Sequence, residues 1–176
     1  MAFLKKSAQR SIVAVIAAVV CLPLTSGALD AGADEYRVKA AFLLNFLKFA
    51  QWPDAGNVAP FIIGVLLPDP FSVELDEAAQ STKVAGRRVE VRRFRKLSDV
   101  RNCHLLFVPH DAEYLNADLP RMGRLTVGET PSFLASGGII SFYLQDNQVR
   151  FEIDPGAAQL AGVRINAHVL QLGARP

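Results

Sequence analysis

The apolar run "PFIIGVLL", at 60–67, constrains the fold more than any other feature of this chain. The run has the length of a strand and shows no alternation of apolar and polar residues. Strands of this kind are typical of a sheet that is covered on both faces. A second run, "CHLLFVPH" at 103–110, repeats the pattern. The two runs therefore favour a mostly parallel sheet inside an α/β domain.

Segments with helical spacing alternate with these strands. A helix is predicted over residues 35–51, where Trp52-Pro53 stops it because the residue before a proline avoids the helical region. A second helix is predicted in "DPFSVELDEAAQ", with Asp69 as its cap and Pro70 in its first turn. Further strands are predicted in "RRVEVRRF" and "RLTVGE", with a helix in "DAEYLNADLPRM" and one or two helical turns in "TPSFLASGG".

The C-terminal third begins with the clearest local pattern, "GIISFYLQDNQVRFEIDP", in which a polar turn joins two β-rich runs. This pattern predicts an antiparallel hairpin. The remainder predicts a helix, a break at Gly162, and a second short helix with Ile165, Val169 and Leu172 on one stripe. The complete pattern predicts a single-domain, three-layer α/β sandwich whose mostly parallel sheet ends in an antiparallel C-terminal hairpin.

Residues 1–33 have the layout of a secretory signal peptide. A basic start precedes the 14-residue apolar stretch "SIVAVIAAVVCLPL", which is too short to span a bilayer comfortably. Small residues follow, and cleavage is expected after Ala33 or after Ala28. An uncleaved membrane anchor and a lipid anchor on Cys21 are the alternatives, although lipid attachment usually takes a small residue where this chain has Val20.

The predicted mature domain, residues 34–176, is close to electrically neutral. The signal holds three of the 19 basic residues and at most one of the 17 acidic ones, so 16 basic residues remain against 16 or 17 acidic. The formal charge of +2 therefore gives no support for nucleic-acid binding. Export leads to an oxidising compartment, but Cys103 is the one cysteine left, so no intramolecular disulfide is possible.

Residues suited to catalysis or metal binding are few. The three histidines, His104, His110 and His168, lack the spacing that would bring two rings to one metal, so no metal site is expected. His110 and Asp111 follow an apolar strand, which is where ligand sites form in α/β sheets. A hydrolase built on them would need a nucleophile, and the sequence has no G-x-S-x-G elbow. We therefore expect no catalytic residue and no enzymatic activity.

Phosphate-binding motifs are weak as well. The turn after the first apolar strand, "LLPDPF", has no glycine, and its prolines remove amide donors, so no nucleotide cofactor is expected. The run at 87–96 holds six cations and one glutamate. A solvated strand edge that discourages edge-to-edge pairing accounts for such a run. An acidic protein partner or an anionic membrane surface is the functional alternative.

The first predicted helix carries more apolar surface than a sheet alone can cover. At 100° per residue, its polar stripe holds Arg37, Asn45 and Lys48. Apolar residues fill well over half of the circumference, with one side formed by Val38, Phe42, Phe46 and Phe49 and another by Tyr36, Leu43 and Leu47. Either the C-terminal helices cover the surplus, or it contacts a second copy or another protein.

Six segments, in this order, carry a resemblance to a known family: "EYRVKAAFLLNFLKFAQWP", "PFIIGVLLPDPF", "VAGRRVEVRRF", "LSDVRNCHLLFVP", "LTVGETPSFLASGGIISFYLQDNQVRFEID" and "AAQLAGVRINAHVLQLG". Over roughly residues 35–173 the chain resembles the YfiR-like family, exported proteins of Gram-negative bacteria. As a set the segments are specific, whereas each alone is only an amphipathic element.

The resemblance implies a periplasmic regulator without enzymatic activity and without a cofactor. The best-known member inhibits an inner-membrane diguanylate cyclase by binding its periplasmic domain, and thereby lowers cyclic-di-GMP and restrains biofilm formation. An outer-membrane, peptidoglycan-associated lipoprotein sequesters that member. The family fold is an α/β sandwich that can form a homodimer.

One departure from the family concerns cysteine. Better-known members carry cysteine pairs, and here only Cys103 has a counterpart; the probable partner position, near Gly64, and both positions in the hairpin lack cysteine. The chain is expected to do without about 2–4 kcal/mol of cross-link stabilisation. Redox sensing by an intramolecular disulfide is excluded, and Cys103 is expected to be a buried, unpaired thiol.

Two functional hypotheses follow. In the first, the chain is a stoichiometric binding protein that contacts its partner through the C-terminal stripe and the first helix. The predicted contact residues are Ile165, His168, Val169 and Leu172 on the stripe, with Arg37, Phe42 and Phe46 on the helix. In the second, the chain is a periplasmic module that binds and senses a small molecule at the strand ends near Pro109, His110 and Asp111.

Overall fold

The structure, a computed structural model, describes residues 30–52, 59–112 and 118–173. Most of the predicted signal peptide, including the Ala28 cleavage site, lies outside the described residues. Ala33, the other predicted cleavage site, falls within the first helix.

Four helices and nine strands make up the described part of the chain. In order along the chain they are α1 (Asp30–Phe49), β1 (Ala50–Gln51), β2 (Phe61–Leu66), α2 (Glu74–Gln80), β3 (Lys83–Val84), β4 (Arg87–Phe94), β5 (Leu105–Val108), β6 (Leu125–Gly128), β7 (Ile140–Gln145), β8 (Gln148–Ile153), α3 (Pro155–Leu160), β9 (Arg164–Ile165) and α4 (Ala167–Leu172). Short 3-10 turns at Leu97–Asp99 and Pro120–Met122 lie between them.

Seven strands form one curled sheet in the order β3-β4-β2-β5-β6-β7-β8. The five strands from β4 to β7 run parallel, whereas β3 and β8 pair antiparallel at the two edges. Every residue of β2, β5 and β6 is buried, as expected for strands covered on both faces. The prediction of a single α/β domain with a mostly parallel sheet and an antiparallel hairpin is confirmed.

The hairpin owes its tight turn to Asp146 and Asn147. Both residues have positive φ, 50° and 58°, as a two-residue loop of the type favoured in hairpins requires. Asparagine and aspartate tolerate this left-handed conformation better than most residues do. The register places Phe142 of β7 directly opposite Phe151 of β8, and these two rings become part of the core.

Two cores lie on opposite faces of the sheet. The larger one joins all four helices to residues such as Ile63, Phe107 and Val127 on the strands. The smaller one lies under connecting segments and includes Leu106 and Phe133. Within the described ranges, this third layer consists of loops and 3-10 turns rather than α-helices. Residues 113–117, in the middle of the helix predicted from "DAEYLNADLPRM", lie outside those ranges.

Helix α1 is buried on two of its sides. Leu43 and Leu47, both 0% exposed, lie in the larger core with the sheet and α2. On another side, Phe42 and Phe46 contact the hairpin ring of Phe151 at centroid distances of 5.3 and 5.0 Å. The predicted surplus of apolar surface is therefore mostly covered within the molecule. The exceptions are Val38 and Phe49, which are 43% and 42% exposed.

Two helix boundaries differ from the prediction. Helix α1 ends at Phe49 because Ala50 and Gln51 pair with β9 in a separate two-stranded sheet. Helix α2 begins at Glu74 rather than near Pro70, because Ser72 has a positive φ of 51° that interrupts the helical conformation. Asp69 closes a turn instead of capping the helix, since its side chain accepts a hydrogen bond from the Phe71 amide at 2.8 Å.

The C-terminal segment differs from the prediction in that a short strand, β9, lies between its two helices. Asp154 caps α3 by accepting a hydrogen bond from the Ala157 amide, and Gly162 breaks the chain as predicted, with a φ of 69°. Ile165 then belongs to strand β9 and not to a helix. The predicted stripe of Ile165, Val169 and Leu172 is therefore split between a strand and two faces of α4, because pairing with β1 holds Ile165 extended.

Candidate functional site

A cleft of about 790 Å³ opens at the carboxyl ends of β5 and β6. His110 follows β5 and Glu129 follows β6, while the first turns of α1 supply Glu35, Tyr36 and Lys39. The five parallel strands have the strand order of a doubly wound sheet. The first of them along the chain, β2, lies between β4 and β5, so the order reverses between β2 and β5. In such sheets ligands bind beyond the carboxyl ends of the strands, at the point between β2 and β5 where the order reverses; this cleft lies one strand further along, at β5 and β6.

A buried ion network forms one wall of this cleft. The Lys39 ammonium lies 2.5 Å from a carboxylate oxygen of Glu129 and 2.5 Å from one of Glu35. The side chains of Lys39 and Glu129 are only 5% and 7% exposed. Glu129 also accepts hydrogen bonds from the Tyr36 hydroxyl at 3.2 Å and from the His110 amide at 3.0 Å. The network thus joins α1 to the ends of β5 and β6.

The network changes the acidity of the tyrosine. Burial raises the pKa of Tyr36, and the negative charge of Glu129 raises it further. Both causes disfavour the phenolate, which would lose solvation and lie beside a carboxylate. Tyr36 therefore acts as a neutral hydrogen-bond donor to Glu129.

The sequence prediction included His110 but missed Lys39, Glu35 and Glu129. One signal was available, because Lys39 follows Tyr36 and precedes Leu43 on an apolar side of the predicted helix. A lysine on a buried face requires a partner of opposite charge. The identity of that partner does not follow from the sequence, since Glu129 lies 90 residues further along the chain.

The histidines lie in separate environments. The ring of His104 packs against Trp52 and Phe61, and its Nδ1 accepts a hydrogen bond from the Ile62 amide at 3.1 Å. His110 borders the cleft, and His168 is exposed on α4. Among the residues that the structure describes, no group of three or more His, Cys, Asp or Glu side chains could hold a metal ion.

Cys103 is a buried thiol, 8% exposed, in the smaller core. Burial raises its pKa, while the neighbouring Arg124, whose guanidinium donates to Sγ at 3.1 Å, opposes that rise. Gly64, the position that the resemblance pairs with it, is close by. A Cβ atom placed on Gly64 would lie 3.2 Å from Sγ of Cys103.

The predicted contact residues of α1 differ in exposure. Arg37 is exposed and pairs with Asp34 at 3.1 Å. Phe42 is half-buried against the hairpin. Phe46 is only 3% exposed and belongs to the larger core, so its side chain is not available on any surface of this structure.

The C-terminal contact residues differ in the same way. Val169, 4% exposed, is a core residue and does not fit a contact role. Leu172 is 63% exposed and lies one helical turn from the exposed His168, while Ile165 is half-buried. Phe49 joins this surface, since its carbonyl accepts a hydrogen bond at 3.0 Å from Asn166, the N-cap residue of α4.

We call the four residues Phe49, Ile165, His168 and Leu172 the junction surface, because they belong to the end of α1, to β9 and to α4, the elements that the β1–β9 pair connects. The sequence prediction missed Phe49 as part of it. Phe49 was missed because its exposure depends on where α1 ends. The strand that follows the helix, β1, has only two residues and therefore shows no alternation from which the helix end could be predicted.

The described part of the domain therefore presents a cleft lined by charged and aromatic residues and, near the ends of α1 and α4, the exposed apolar side chains of Phe49 and Leu172. A family model described as YfiR/HmsC-like matches residues 36–174, and the chain belongs to that family. A comparison with curated proteins found no match. The family consists of periplasmic, non-catalytic regulators of diguanylate cyclases in general. No helix in the described part of the chain is long and apolar enough to cross a membrane.

Proposed function

We propose that this protein is a non-enzymatic periplasmic regulator that binds the periplasmic domain of an inner-membrane diguanylate cyclase and lowers its output of cyclic-di-GMP. Family membership supports the regulatory theme. The observation that carries the mode of action is the junction surface, where Phe49 and Leu172 are 42% and 63% exposed. Exposed apolar and aromatic side chains supply much of the binding energy in protein interfaces.

The proposed cyclase contact is centred on the junction surface at the end of α1 and extends back along this helix to the half-buried Phe42 and the exposed Arg37. Lowered cyclic-di-GMP would restrain biofilm formation. A homodimer and an outer-membrane, peptidoglycan-associated lipoprotein are further contacts within this proposal. The signal peptide of residues 1–33 would deliver the domain to the periplasm, where all of these partners are accessible.

The test compares two double variants in a host that lacks the chromosomal gene. Phe49→Glu/Leu172→Glu places two charges on the junction surface, whereas Leu144→Glu/Val73→Glu places two charges on apolar residues elsewhere that are 53% and 57% exposed. We expect the wild type and the second variant to restore low intracellular cyclic-di-GMP, and the first variant to fail while its far-ultraviolet circular dichroism stays that of the folded protein. Equal restoration by both variants would refute the assignment of this surface.

The cleft favours a second candidate function, a small-molecule binding and sensing module. Its volume, about 790 Å³, is within the range of ligand pockets, and aromatic and charged side chains line it together. A thermal-shift screen of periplasmic metabolites tests this candidate. A ligand at 100 times its dissociation constant should stabilise the fold by about 2.7 kcal/mol. The shift should weaken in Tyr143→Ala, which changes a lining residue, and persist in Leu160→Ala, which lies on α3.

A further inference from the structure

The face of β4 that points away from the helices is positively charged. Val89 and Val91 contact the larger core, so the alternating residues Arg88 and Arg92 project from the opposite face. Both arginines are exposed. Glu90 lies between them and approaches Arg92 at 3.5 Å. The sheet therefore presents cations on a face that the loops of the third layer leave open at this position.

Strand β3 adds a like charge directly opposite. Lys83 pairs with Arg88 in the antiparallel register, and both side chains are exposed. Like charges directly opposite each other in a β-ladder are destabilising. The pair is therefore a local concentration of positive charge, which a partner of negative charge would relieve.

The positive charge continues beyond the end of the strand. We call the basic face the six exposed cations of this stretch, of which the first three share one face of the sheet and the last three lie in the segment that follows β4: Lys83, Arg88, Arg92, Arg95, Lys96 and Arg101. Only two carboxylates, Glu90 and Asp99, lie in the same stretch of chain. Edge protection explains a charged residue within an edge strand, but it does not explain cations in the segment that follows.

The other two arginines of the run belong to internal contacts. Arg87 is buried and stacks on the Phe61 ring at 3.9 Å. Arg93 points to the helix side, where it forms ion pairs with Asp69 at 2.8 Å and with Asp76. Arg87 and Arg93 are therefore held by internal contacts, whereas the six residues of the basic face are exposed, and among these Arg92 approaches the Glu90 carboxylate.

No exposed large apolar residue belongs to the stretch that carries the basic face. The large apolar residues that are exposed in the described ranges are Val38, Phe49, Leu67, Val73, Leu144, Leu160 and Leu172, and none of them falls within residues 83–101. Leu67, which is 37% exposed, lies beside the stretch because its amide donates to the Phe94 carbonyl at 2.9 Å, but it is a single aliphatic residue and not an apolar centre. Protein interfaces usually place apolar or aromatic residues at their centre. A row of cations without anchors matches a surface of diffuse negative charge, and anionic phospholipid headgroups supply such a surface.

We propose that the basic face docks this protein on the anionic phospholipid surface of a membrane. The biological setting rests on the proposed function, because a regulator of an inner-membrane cyclase works beside that surface. The interaction is electrostatic, so it weakens as salt screens the charges. It would hold the domain near the membrane and leave the junction surface, which lies on other elements, available to the cyclase.

The test is co-sedimentation of the purified mature domain with vesicles, which contain no cyclase. At low ionic strength we expect binding to vesicles of phosphatidylglycerol and phosphatidylcholine, and no binding to phosphatidylcholine alone. Arg88→Gln/Arg92→Gln should weaken binding by about 25-fold, at about fivefold for each cation removed. Its melting temperature should not fall, because Arg88→Gln removes the repulsion from Lys83.

The matched control is Arg121→Gln/Arg150→Gln, which changes the net charge equally at two exposed arginines outside the basic face. It should bind the anionic vesicles like the wild type. Absence of wild-type binding at low salt, or an equal loss in both double variants, would overturn the proposal; the former would favour an acidic protein as partner. Cyclase regulation is measured separately, as intracellular cyclic-di-GMP. A failure of vesicle binding therefore leaves the proposed function intact, and a failure of cyclase regulation leaves the vesicle result intact.

Discussion

The Lys39 ammonium and the Glu129 carboxylate lie 90 residues apart in the chain and 2.5 Å apart in the fold. Both side chains are more than nine-tenths buried; Glu129 relies on Lys39 as its cation, whereas Lys39 also pairs with the partly exposed Glu35. Removal of one partner from a buried ion pair usually costs about 3–5 kcal/mol, because the remaining charge is left without a counter-ion.

We therefore expect Lys39→Met, which leaves the buried Glu129 without its cation, to lower the free energy of unfolding by about 3 kcal/mol in urea denaturation. Lys39→Met/Glu129→Leu should be less destabilised than the sum of the two single variants, since it leaves neither charge of the pair behind. Additive losses in this double-mutant cycle would show that the two charges do not compensate each other.

The raised pKa of Tyr36 predicts a pH dependence on the alkaline side. The folded state favours the neutral phenol, whereas an unfolded tyrosine ionises near its ordinary value of 10.0. The stabilisation is thus complete below about pH 10 and is lost as the pH rises from there towards the folded pKa. In urea denaturation at several alkaline pH values, Tyr36→Phe should lose less stability than the wild type. The same alkaline loss in both proteins would contradict the assigned cause.

Gly64 and Cys103 are placed for a disulfide. A Cβ atom on Gly64 would lie 3.2 Å from Sγ of Cys103, close to the distance of about 3 Å between these atoms in a disulfide. We expect Gly64→Cys to form the cross-link under oxidising conditions and to gain about 2–4 kcal/mol over its reduced form. Thiol titration with and without reductant measures formation, and Gly64→Ser controls for crowding by Phe94 and Leu106. Two free thiols after oxidation would count against this geometry.

Phe133 occupies a slot between two glycines. A Cβ atom on Gly138 would come within 2.2 Å of the Phe133 ring, and one on Gly128 within 2.4 Å. Because Phe133 is fully buried, the ring has no free space into which to move. Gly138→Ala should therefore cost about 3 kcal/mol in the free energy of unfolding. In Gly138→Ala/Phe133→Leu the smaller side chain should recover part of this loss, and no recovery would indicate another origin for it.

The sequence predicted the parts of this fold that have a local pattern. The apolar run of β2 indicated burial on both faces, and the polar "QDNQ" turn located the hairpin. The pairing of β1 with β9 was missed, because two-residue strands are too short to show any periodicity. That pairing alone decided that Ile165 is extended and that α1 ends at Phe49.

The candidate sites were predicted less completely, since they depend on contacts across the sheet. His110 was placed correctly at the strand ends. Its neighbour Glu129 was not predicted, because its role depends on a contact with Lys39, which lies 90 residues away in the chain. Among the predicted contact residues, helical spacing could not separate Leu172, which is exposed, from Val169, which is buried. The two differ only in which side of a six-residue helix meets the core.

The burial of α1 on two sides also has a consequence during synthesis of the chain. This helix leaves the ribosome early, whereas Phe142, Phe151 and Val169, which cover parts of it, follow about a hundred residues later. Until then its phenylalanines have no native partners to pack against. The nascent chain therefore exposes an apolar, aggregation-prone segment before its native partners have been synthesised. We expect a chaperone to bind this helix until the C-terminal residues have been added.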